Sequence, residues 1–177
     1  MDPTGPWDRE RVDEFLATAR VPVRLGCRTP SDHPWIVSLW FAWDPDAGAA
    51  AEAADGSDAG DAADATDTSG SPAGAIRCAT SASADLVEFV EHDDSVSFDV
   101  STNDPPYKGI RGRGRATVVP DEDKRLLRSL LTKYLGGTDN ATADRLLRPD
   151  REEVEIRIEP ERLHAWDYSE RMGSAEE

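Results

Sequence analysis

Apolar residues recur at helical spacing in three stretches of the chain. In residues 8–19 they occupy positions i, i+3, i+4 and i+7, which predicts a helix with one buried face made of Val12, Phe15, Leu16 and Ala19. A second helix is predicted after Ser83, which we assign as its N-terminal cap. A third is predicted between Asp121, as its cap, and Gly136, which ends it.

Alternation of apolar and polar residues predicts strands in much of the remaining chain. It is clearest in residues 21–27, 96–100 and 107–119, and in two closing strands, one with Val154, Ile156 and Ile158 and the other with Leu163, Ala165 and Trp166. Strands outnumber helices, and most have one apolar face, which is typical of an antiparallel sheet. We therefore predict a mainly β fold of the α+β class, a small antiparallel barrel with peripheral helices, in a single domain over residues 1–177.

Residues 47–74 interrupt this pattern. They are rich in Ala, Asp and Gly and contain no aromatic residue, no basic residue and no aliphatic side chain larger than alanine. Such a composition cannot bury enough apolar surface to fold alone, so we predict a disordered acidic insertion. Residues 35–43 and 75–81, on either side of it, are rich in β-forming residues, which predicts a β-hairpin whose turn the insertion lengthens.

The net charge of the chain favours a salty environment and disfavours some classes of binding partner. The chain has 36 acidic and 20 basic residues, a net charge of −16. Such self-repulsion is tolerated where salt screens it, which favours a halophilic cytoplasm. The same sign disfavours binding to nucleic acids or to anionic membranes.

We predict a cytoplasmic location from the N-terminal residues, the longest apolar run and the cysteines. The N-terminal residues lack a charged-then-apolar leader, and the longest apolar run, residues 35–43, is too short to span a bilayer. Cys27 and Cys78 lie in strand-like runs outside any C-x-x-C motif, so we predict that both are reduced packing residues.

Residues 107–119, YKGIRGRGRATVV, place four cations in eight consecutive positions of this acidic chain. Because side chains alternate along a strand, Arg111, Arg113 and Arg115 are expected on one face, with small or apolar residues on the other. Two interpretations stay open from the residues alone. The arginines form ion pairs with surface carboxylates, or they bind an anionic cofactor or substrate.

Four longer stretches carry a resemblance to a known family: FLATARVPVRLGCRTPSDHPWIVSLWFAWD, IRCATSASADLVEFVEHDDSVSFDVS, PPYKGIRGRGRATVV and HAWDYSERM. In this order they resemble the pyridoxamine 5'-phosphate oxidase-like, flavin-binding split-barrel family. The resemblance implies a homodimer of six-stranded antiparallel split β-barrels that binds FMN, or in some branches a deazaflavin or haem, at the subunit interface. It also implies redox chemistry on a small molecule, supplied by the flavin.

The resemblance assigns candidate cofactor-binding residues. The strand that flanks the flavin ring corresponds to Val37, Ser38, Leu39 and Trp40. The hydroxyl pair near the cofactor phosphate corresponds to Thr80 and Ser81. The stretch that reaches the cofactor from the other subunit contains Lys108 and Arg111.

The chain departs from the family at the phosphate-binding cations. Family members commonly place an Arg and a Lys just after the hydroxyl pair, where this chain has Ala84 and Leu86 with Asp85 between them. We predict that cations from the partner subunit replace the missing pair beside Ser81 and Ser83, because charge-assisted hydrogen bonds are the strong ones. The predicted cations are Lys108, Arg111 and Arg113.

Two functions of different classes follow from the sequence. The first is an FMN-binding or deazaflavin-binding oxidoreductase that acts on a small molecule. The second is a non-catalytic split-barrel dimer that has lost the flavin and binds another small ligand, and Ala84, Asp85 and Leu86 keep this alternative open. No catalytic residue is assigned. The histidines share no metal-ligand spacing, so the sequence favours neither a metal site nor a haem; they are His33, His92 and His164.

Overall fold

The computed structural model of the chain describes residues 2–47 and 74–172. The strands in these residues are β1 (Val23–Arg28), β2 (Pro34–Leu39), β3 (Phe41–Asp44), β4 (Ala75–Ser81), β5 (Ser95–Ser101), β6 (Lys108–Pro120) and β7 (Glu153–Asp167). The α-helices are α1 (Arg9–Thr18), α2 (Asp85–His92), α3 (Arg125–Leu135), α4 (Ala141–Leu146) and α5 (Ser169–Met172), and a 3-10 turn at Glu122–Lys124 precedes α3. The mainly β class with added helices, predicted from the sequence, is confirmed.

The strands form one antiparallel sheet in the order β2-β1-β5-β6-β7-β4-β3. The two edge strands, β2 and β3, are separated in the chain only by Trp40. Because one residue joins the two edges, the sheet has to curl until the edges meet. The result is the predicted antiparallel barrel.

The resemblance implies six strands, whereas the described residues form seven. The run over residues 35–43 forms two strands, and the two predicted closing strands form the single strand β7. Leu39 is the register partner of Val23 in β1, whereas Phe41 is the register partner of Cys78 in β4. The chain therefore changes its pairing strand at Trp40. This change divides one predicted strand in two.

Alternate residues of the strands point into the barrel and form its core. The largest fully buried side chains of the strands are Phe41, Leu25, Ile76, Ile110, Ile156, Ile158, Leu163 and Val23. On β6 the inner positions include glycines because β7 approaches closely there. A Cβ atom on Gly114 would lie 2.1 Å from the carbonyl oxygen of Glu159, and one on Gly112 would lie 2.3 Å from that of Arg162.

The first predicted helix has the expected boundaries, and the third ends as predicted but begins at Arg125, with Lys124 in its N-cap position. Asp8 caps α1 by accepting a hydrogen bond from the Arg11 backbone N–H. Asp121 caps α3 after the 3-10 turn, since its two carboxylate oxygens accept from the backbone N–H groups of Leu126 and Leu127, each at 2.9 Å. Gly136 ends α3 with a φ of 80°, in the left-handed region that favours glycine.

The predicted cap of α2 is wrong. The N-cap residue is Ala84, which has no side-chain hydrogen-bonding group, and Ser83 lies one residue outside the helix. The Ser83 hydroxyl is instead 3.0 Å from the hydroxyl of Ser81. Competition from this neighbouring hydroxyl explains why Ser83 does not serve the helix.

The hairpin on either side of the acidic segment is confirmed. β3 pairs with β4 in antiparallel register, from Phe41↔Cys78 to Asp44↔Ala75. The insertion predicted over residues 47–74 lies, apart from its two end residues, outside the described part of the chain. Cys27 and Cys78 are free and buried, as expected of packing residues, and burial raises the pKa of both thiols. None of the helices in the described ranges is long and apolar enough to cross a membrane.

Candidate functional site

A concavity of about 710 Å³ lies on the outer face of the sheet, across β1, β5, β6 and β7. We call it the basic groove, and it is lined mainly by Arg24, Ile36, Arg111, Arg113, Arg162 and His164. Strand pairing brings these residues together, since Arg111 is the register partner of His164, and Arg113 that of Arg162. The predicted arginine stripe therefore forms part of a larger surface.

Three guanidinium groups of the groove have no carboxylate partner in the described part of the chain. Arg113 and Arg162 face each other across neighbouring strands, and Arg111 lies two residues from Arg113 on the same face. Like charges directly opposite each other destabilise a sheet. A bound anion would offset this cost, so the groove has the charge expected of an anion-binding surface.

Arg115, the third residue of the stripe, behaves differently. Its guanidinium group contacts Asp94 at 2.5 Å and Glu161 at 3.1 Å, and these two carboxylates raise its pKa. The ion-pair interpretation of the stripe thus applies to Arg115. Within residues 2–47 and 74–172, Arg111 and Arg113 have no carboxylate partner.

Elsewhere on the outer face of the sheet, arginine side chains form ion pairs with carboxylates. Arg77 and Arg157 both bond the buried carboxylate of Glu155, with distances of 2.6 Å to Arg77 and 3.0 Å to Arg157. Burial acts to raise the pKa of Glu155, but the hydrogen bonds from the two arginines outweigh it and hold the pKa below its ordinary value. In the groove itself, Arg24 bonds Asp99 at 3.2 Å.

Apolar side chains border the groove on its β2 side. Ile36 is 73% exposed, and Trp35 is 52% exposed and packs edge-on against Phe89 of α2. A second cavity of about 380 Å³ continues the groove past Trp35, because Ile36 and Arg113 line both. Cations next to exposed apolar and aromatic surface suit a ligand that is anionic at one end and flat and apolar at the other.

A second polar cavity, of about 460 Å³, lies where β4 ends. We call it the serine–arginine pocket, and its lining includes Ser81, Ser83, Arg145, Arg148, Arg151, Asp150 and Glu152. The hydroxyl groups come from the end of β4 and the turn before α2. Arg145 lies in the last turn of α4, and Arg148 and Arg151 lie in the segment between α4 and β7. The cross-strand pairing of Ser81 with Glu153 brings the two segments together.

The predicted ring-flanking strand divides between the two faces of the sheet. Ser38 of β2 is the register partner of Arg24 and shares the outer face with the groove. Val37 and Leu39 are half-buried and pack against the core. Trp40 stacks on Tyr134 of α3, with ring centroids 5.1 Å apart and an interplanar angle of 9°. Trp35 alternates with Ile36 and shares the face of Val37, so it lines only the adjoining cavity of about 380 Å³.

The remaining predicted site residues also separate. Ser81 and Ser83 line the serine–arginine pocket, while Thr80 alternates with Ser81 and takes the opposite face of β4. Lys108 begins β6 and by the same alternation shares the face of Ile110, opposite Arg111. Only Arg111 and Arg113 of the predicted cations line the basic groove.

Six residues of the two cavities were missed from the sequence. Arg162 and His164 flank the buried Leu163, and Arg24 precedes the buried Leu25, so strict alternation would have placed all three on the outer face. No comparable signal marks the pocket residues Arg145, Arg148 and Arg151. Their position depends on the register between β4 and β7.

Comparisons with known proteins agree with this architecture. No protein-family profile matches the chain, and no curated protein matches it. Solved structures do match. A conserved hypothetical protein from Mycobacterium tuberculosis has a TM-score of 0.62 and 18% identity, covering 92% of this chain and 86% of its own. An F420 reductase has a TM-score of 0.55 and 19% identity, covering 85% and 94%.

A third structure, a putative pyridoxamine 5'-phosphate oxidase from Listeria innocua, has a TM-score of 0.52 and 12% identity, covering 90% of this chain and 97% of its own. At identities this low, the structural matches establish the fold and nothing more. The chain has the split-barrel fold expected from its resemblance to the pyridoxamine 5'-phosphate oxidase-like proteins. Fold and site together define a split-barrel protein with a basic groove on its outer face.

Proposed function

We propose that the chain is a homodimeric flavin-type redox protein that holds FMN or a deazaflavin in the basic groove and acts on a small molecule. The observation that carries this proposal is the set of three arginines without carboxylate partners in the described residues: Arg111, Arg113 and Arg162. Acids outnumber bases among the described residues too, so the lack of a carboxylate partner there for these arginines is informative. When bound, the cofactor would supply the electron transfer.

The groove residues fit such a cofactor by their chemistry. Guanidinium groups bind phosphate and carboxylate oxygens through paired N–H donors. The exposed side chain of Ile36 offers apolar surface for a flat ring, and Trp35 adds aromatic surface in the adjoining cavity. His164 bonds the Thr4 hydroxyl through Nδ1 at 3.0 Å, which orients its ring within the groove.

The homodimer belongs to the same proposal. One chain provides the groove as an open surface with the sheet as its floor. A second copy placed over Ile36 and Trp35 would cover apolar surface that is now exposed and would close the groove. Closure would also exclude water from the ring, which strengthens the electrostatic interactions inside the site.

A second candidate function is a non-catalytic dimer that binds a different small anion. The start of α2 favours it, because Ala84 and Leu86 carry no charge and Asp85 places an acid in the first turn of the helix. An acid at this position repels a phosphate group. The two functions differ in whether the groove accepts a flavin ring.

Titration of the protein with FMN and with a deazaflavin, in high salt, tests the proposal. Loss of one charge-assisted hydrogen-bonding group costs about 1.5–3 kcal/mol, so we expect Arg113→Ala to weaken binding by about 10- to 150-fold. Arg115→Ala is the matched control, since it lies on the same face of the same strand but is ion-paired. Equal binding by both variants would overturn the role of the groove, and a wild-type chain that binds neither cofactor would favour the non-catalytic dimer.

A further inference from the structure

The N-terminal residues 2–7, which we call the N-terminal strap, lie along β7 on the side opposite β6. Thr4 forms a parallel β-bridge with His164. The Thr4 N–H donates to the Leu163 carbonyl oxygen at 3.0 Å, and the Ala165 N–H donates to the Thr4 carbonyl oxygen at 2.8 Å. The strap therefore holds the Thr4 side chain next to a residue that lines the basic groove.

The Thr4 hydroxyl contacts two groups, and these contacts together fix its hydrogen-bonding direction. Thr4 Oγ1 lies 3.2 Å from the Leu163 carbonyl oxygen and 3.0 Å from His164 Nδ1. A carbonyl oxygen only accepts, and a hydroxyl has one hydrogen to donate. Both contacts are hydrogen bonds only if the hydroxyl donates to Leu163 and accepts from Nδ1–H of His164. The neutral imidazole then carries its proton on Nδ1 and a lone pair on Nε2.

The groove favours the same tautomer from its own side. His164 lines the groove, and its Nε2 has no hydrogen-bond partner in the part of the chain that the structure describes. Two charged neighbours of the ring on this face are guanidinium groups, since Arg111 is its cross-strand partner and Arg162 lies two residues before it. Guanidinium groups only donate, so a lone pair on Nε2 suits them better than a further N–H group would.

An acceptor among arginines selects a particular ligand chemistry. The arginines bind the anionic oxygens of a ligand. The Asp99 carboxylate, which also lines the groove, already accepts from Arg24 at 3.2 Å and from Ser101 at 2.5 Å. Nε2 of His164 adds an uncharged acceptor beside the arginines. Its partner would be a hydroxyl group that stands next to the anionic group of the ligand.

We propose that Thr4 is a positioning residue that keeps the Nε2 lone pair of His164 available to the basic groove, where it accepts from a hydroxyl group beside the anionic end of the bound molecule. FMN has this chemistry, because its ribityl chain carries hydroxyl groups next to the phosphate. The choice of a hydroxyl rests on the proposed function. The tautomer of His164 does not, because it is set by the chain alone.

The first experiment determines the tautomer of His164 by 15N NMR of the full chain without ligand, at high potassium chloride and in alkaline buffer, where histidine side chains are neutral. We expect the wild type to carry the proton on Nδ1. Thr4→Val keeps the side-chain shape and removes the hydroxyl, so the proton should move at least partly to Nε2. Thr4→Ser restores the hydroxyl and is the matched control, and His164→Gln assigns the signal. A wild-type proton on Nε2, or a tautomer that Thr4→Val leaves unchanged, overturns the role of Thr4.

The second experiment compares FMN with an analogue in which hydrogen replaces the hydroxyl groups of the phosphate-bearing chain. An uncharged hydrogen bond contributes about 2- to 12-fold in affinity, so the wild type should prefer FMN by about this factor. The preference should disappear in Thr4→Val and return in Thr4→Ser. General damage to the groove would instead weaken both ligands equally. A wild type without the preference, or a preference that Thr4→Val leaves intact, overturns the hydroxyl contact.

This inference and the proposed function can fail separately. If neither flavin binds, the proposed function fails, and glycerol 3-phosphate and propyl phosphate become the probes with and without hydroxyl groups. A preference of the wild type for glycerol 3-phosphate that is lost in Thr4→Val supports the hydroxyl contact. Equal binding of these two probes, or no binding of either, overturns it.

Discussion

At the scale of single residues, Lys133 shows how burial changes the chemistry of one side chain. Its ammonium group donates to the Phe41 carbonyl oxygen at 3.2 Å and lies 4.4 Å from the centroid of the Phe41 ring. Burial, with a smaller contribution from the charge of Arg20, lowers the pKa of Lys133 to about 8. Lys133 therefore reports directly on the packing of α3 against β3.

This lowered pKa predicts a specific pH dependence of stability. Between pH 8 and its ordinary pKa of 10.5, Lys133 has released its proton in the folded chain but holds it in the unfolded chain, so the free energy of unfolding rises with pH. As the pH rises across this range, we expect the melting temperature of the wild type to increase relative to that of Lys133→Met. Thermal melts of both proteins measure the difference, and a difference that stays constant with pH would contradict the burial of Lys133.

The arginines show which residue properties follow from sequence. Alternation along β6 predicted that Arg111, Arg113 and Arg115 share a face, and they do. It could not predict that, among the described residues, only Arg115 of the three is ion-paired, because its partners Asp94 and Glu161 come from distant parts of the chain. Which carboxylates pair with a given arginine depends on strand register, and strand register cannot be read from the amino-acid pattern.

At the scale of elements, α3 depends on a cap that the sequence did predict. Asp121 accepts from two backbone N–H groups of the first helical turn, those of Leu126 and Leu127. Helix termini leave such groups without partners unless a side chain supplies one. The cap joins the end of β6 to the helix that covers β4.

We expect Asp121→Ala to lower the free energy of unfolding by about 1–2 kcal/mol, since both accepted hydrogen bonds are lost. Asp123→Asn is a suitable control, because the Asp123 carboxylate is 80% exposed and asparagine tolerates its positive φ of 55°. Urea unfolding of the three proteins measures the change. Equal losses in the two variants would show that the Asp121 bonds add nothing beyond a surface charge.

Sequence reasoning missed the closure of the barrel at Trp40. Residues 35–43 have the composition of one continuous strand, and nothing in that composition marks a change of pairing strand. The change follows from the sheet as a whole, since β2 and β3 must occupy opposite edges. The same closure places Trp40 against Tyr134 and leaves Trp35 at the cavity that adjoins the basic groove.

At the scale of the whole molecule, charge is unevenly distributed. The chain has a net charge of −16, yet the basic groove gathers Arg24, Arg111, Arg113 and Arg162 against the single carboxylate of Asp99. The sequence predicted the stripe but not the groove, because two of its arginines come from β1 and β7. Halophilic adaptation stays a prediction, and it requires every binding experiment to be made at high salt.

The proposed dimer yields a prediction at the same scale. Light scattering at high salt should give twice the mass of one chain for the wild type. Ile36→Asp, which puts a charge on the exposed apolar edge of the groove, should give the mass of a single chain. Leu135→Asp changes another exposed apolar side chain, at the end of α3, and should leave the dimer intact. A wild-type protein with the mass of one chain would contradict the proposed interface.

The most direct measurement of the central claim is a crystal structure of the chain grown at high salt with FMN. We predict two copies that enclose the cofactor, with its ring against Ile36 and its anionic end within hydrogen-bonding distance of at least one of Arg111, Arg113 and Arg162. A structure in which these three guanidinium groups face bulk solvent and no ligand occupies the basic groove would contradict that claim.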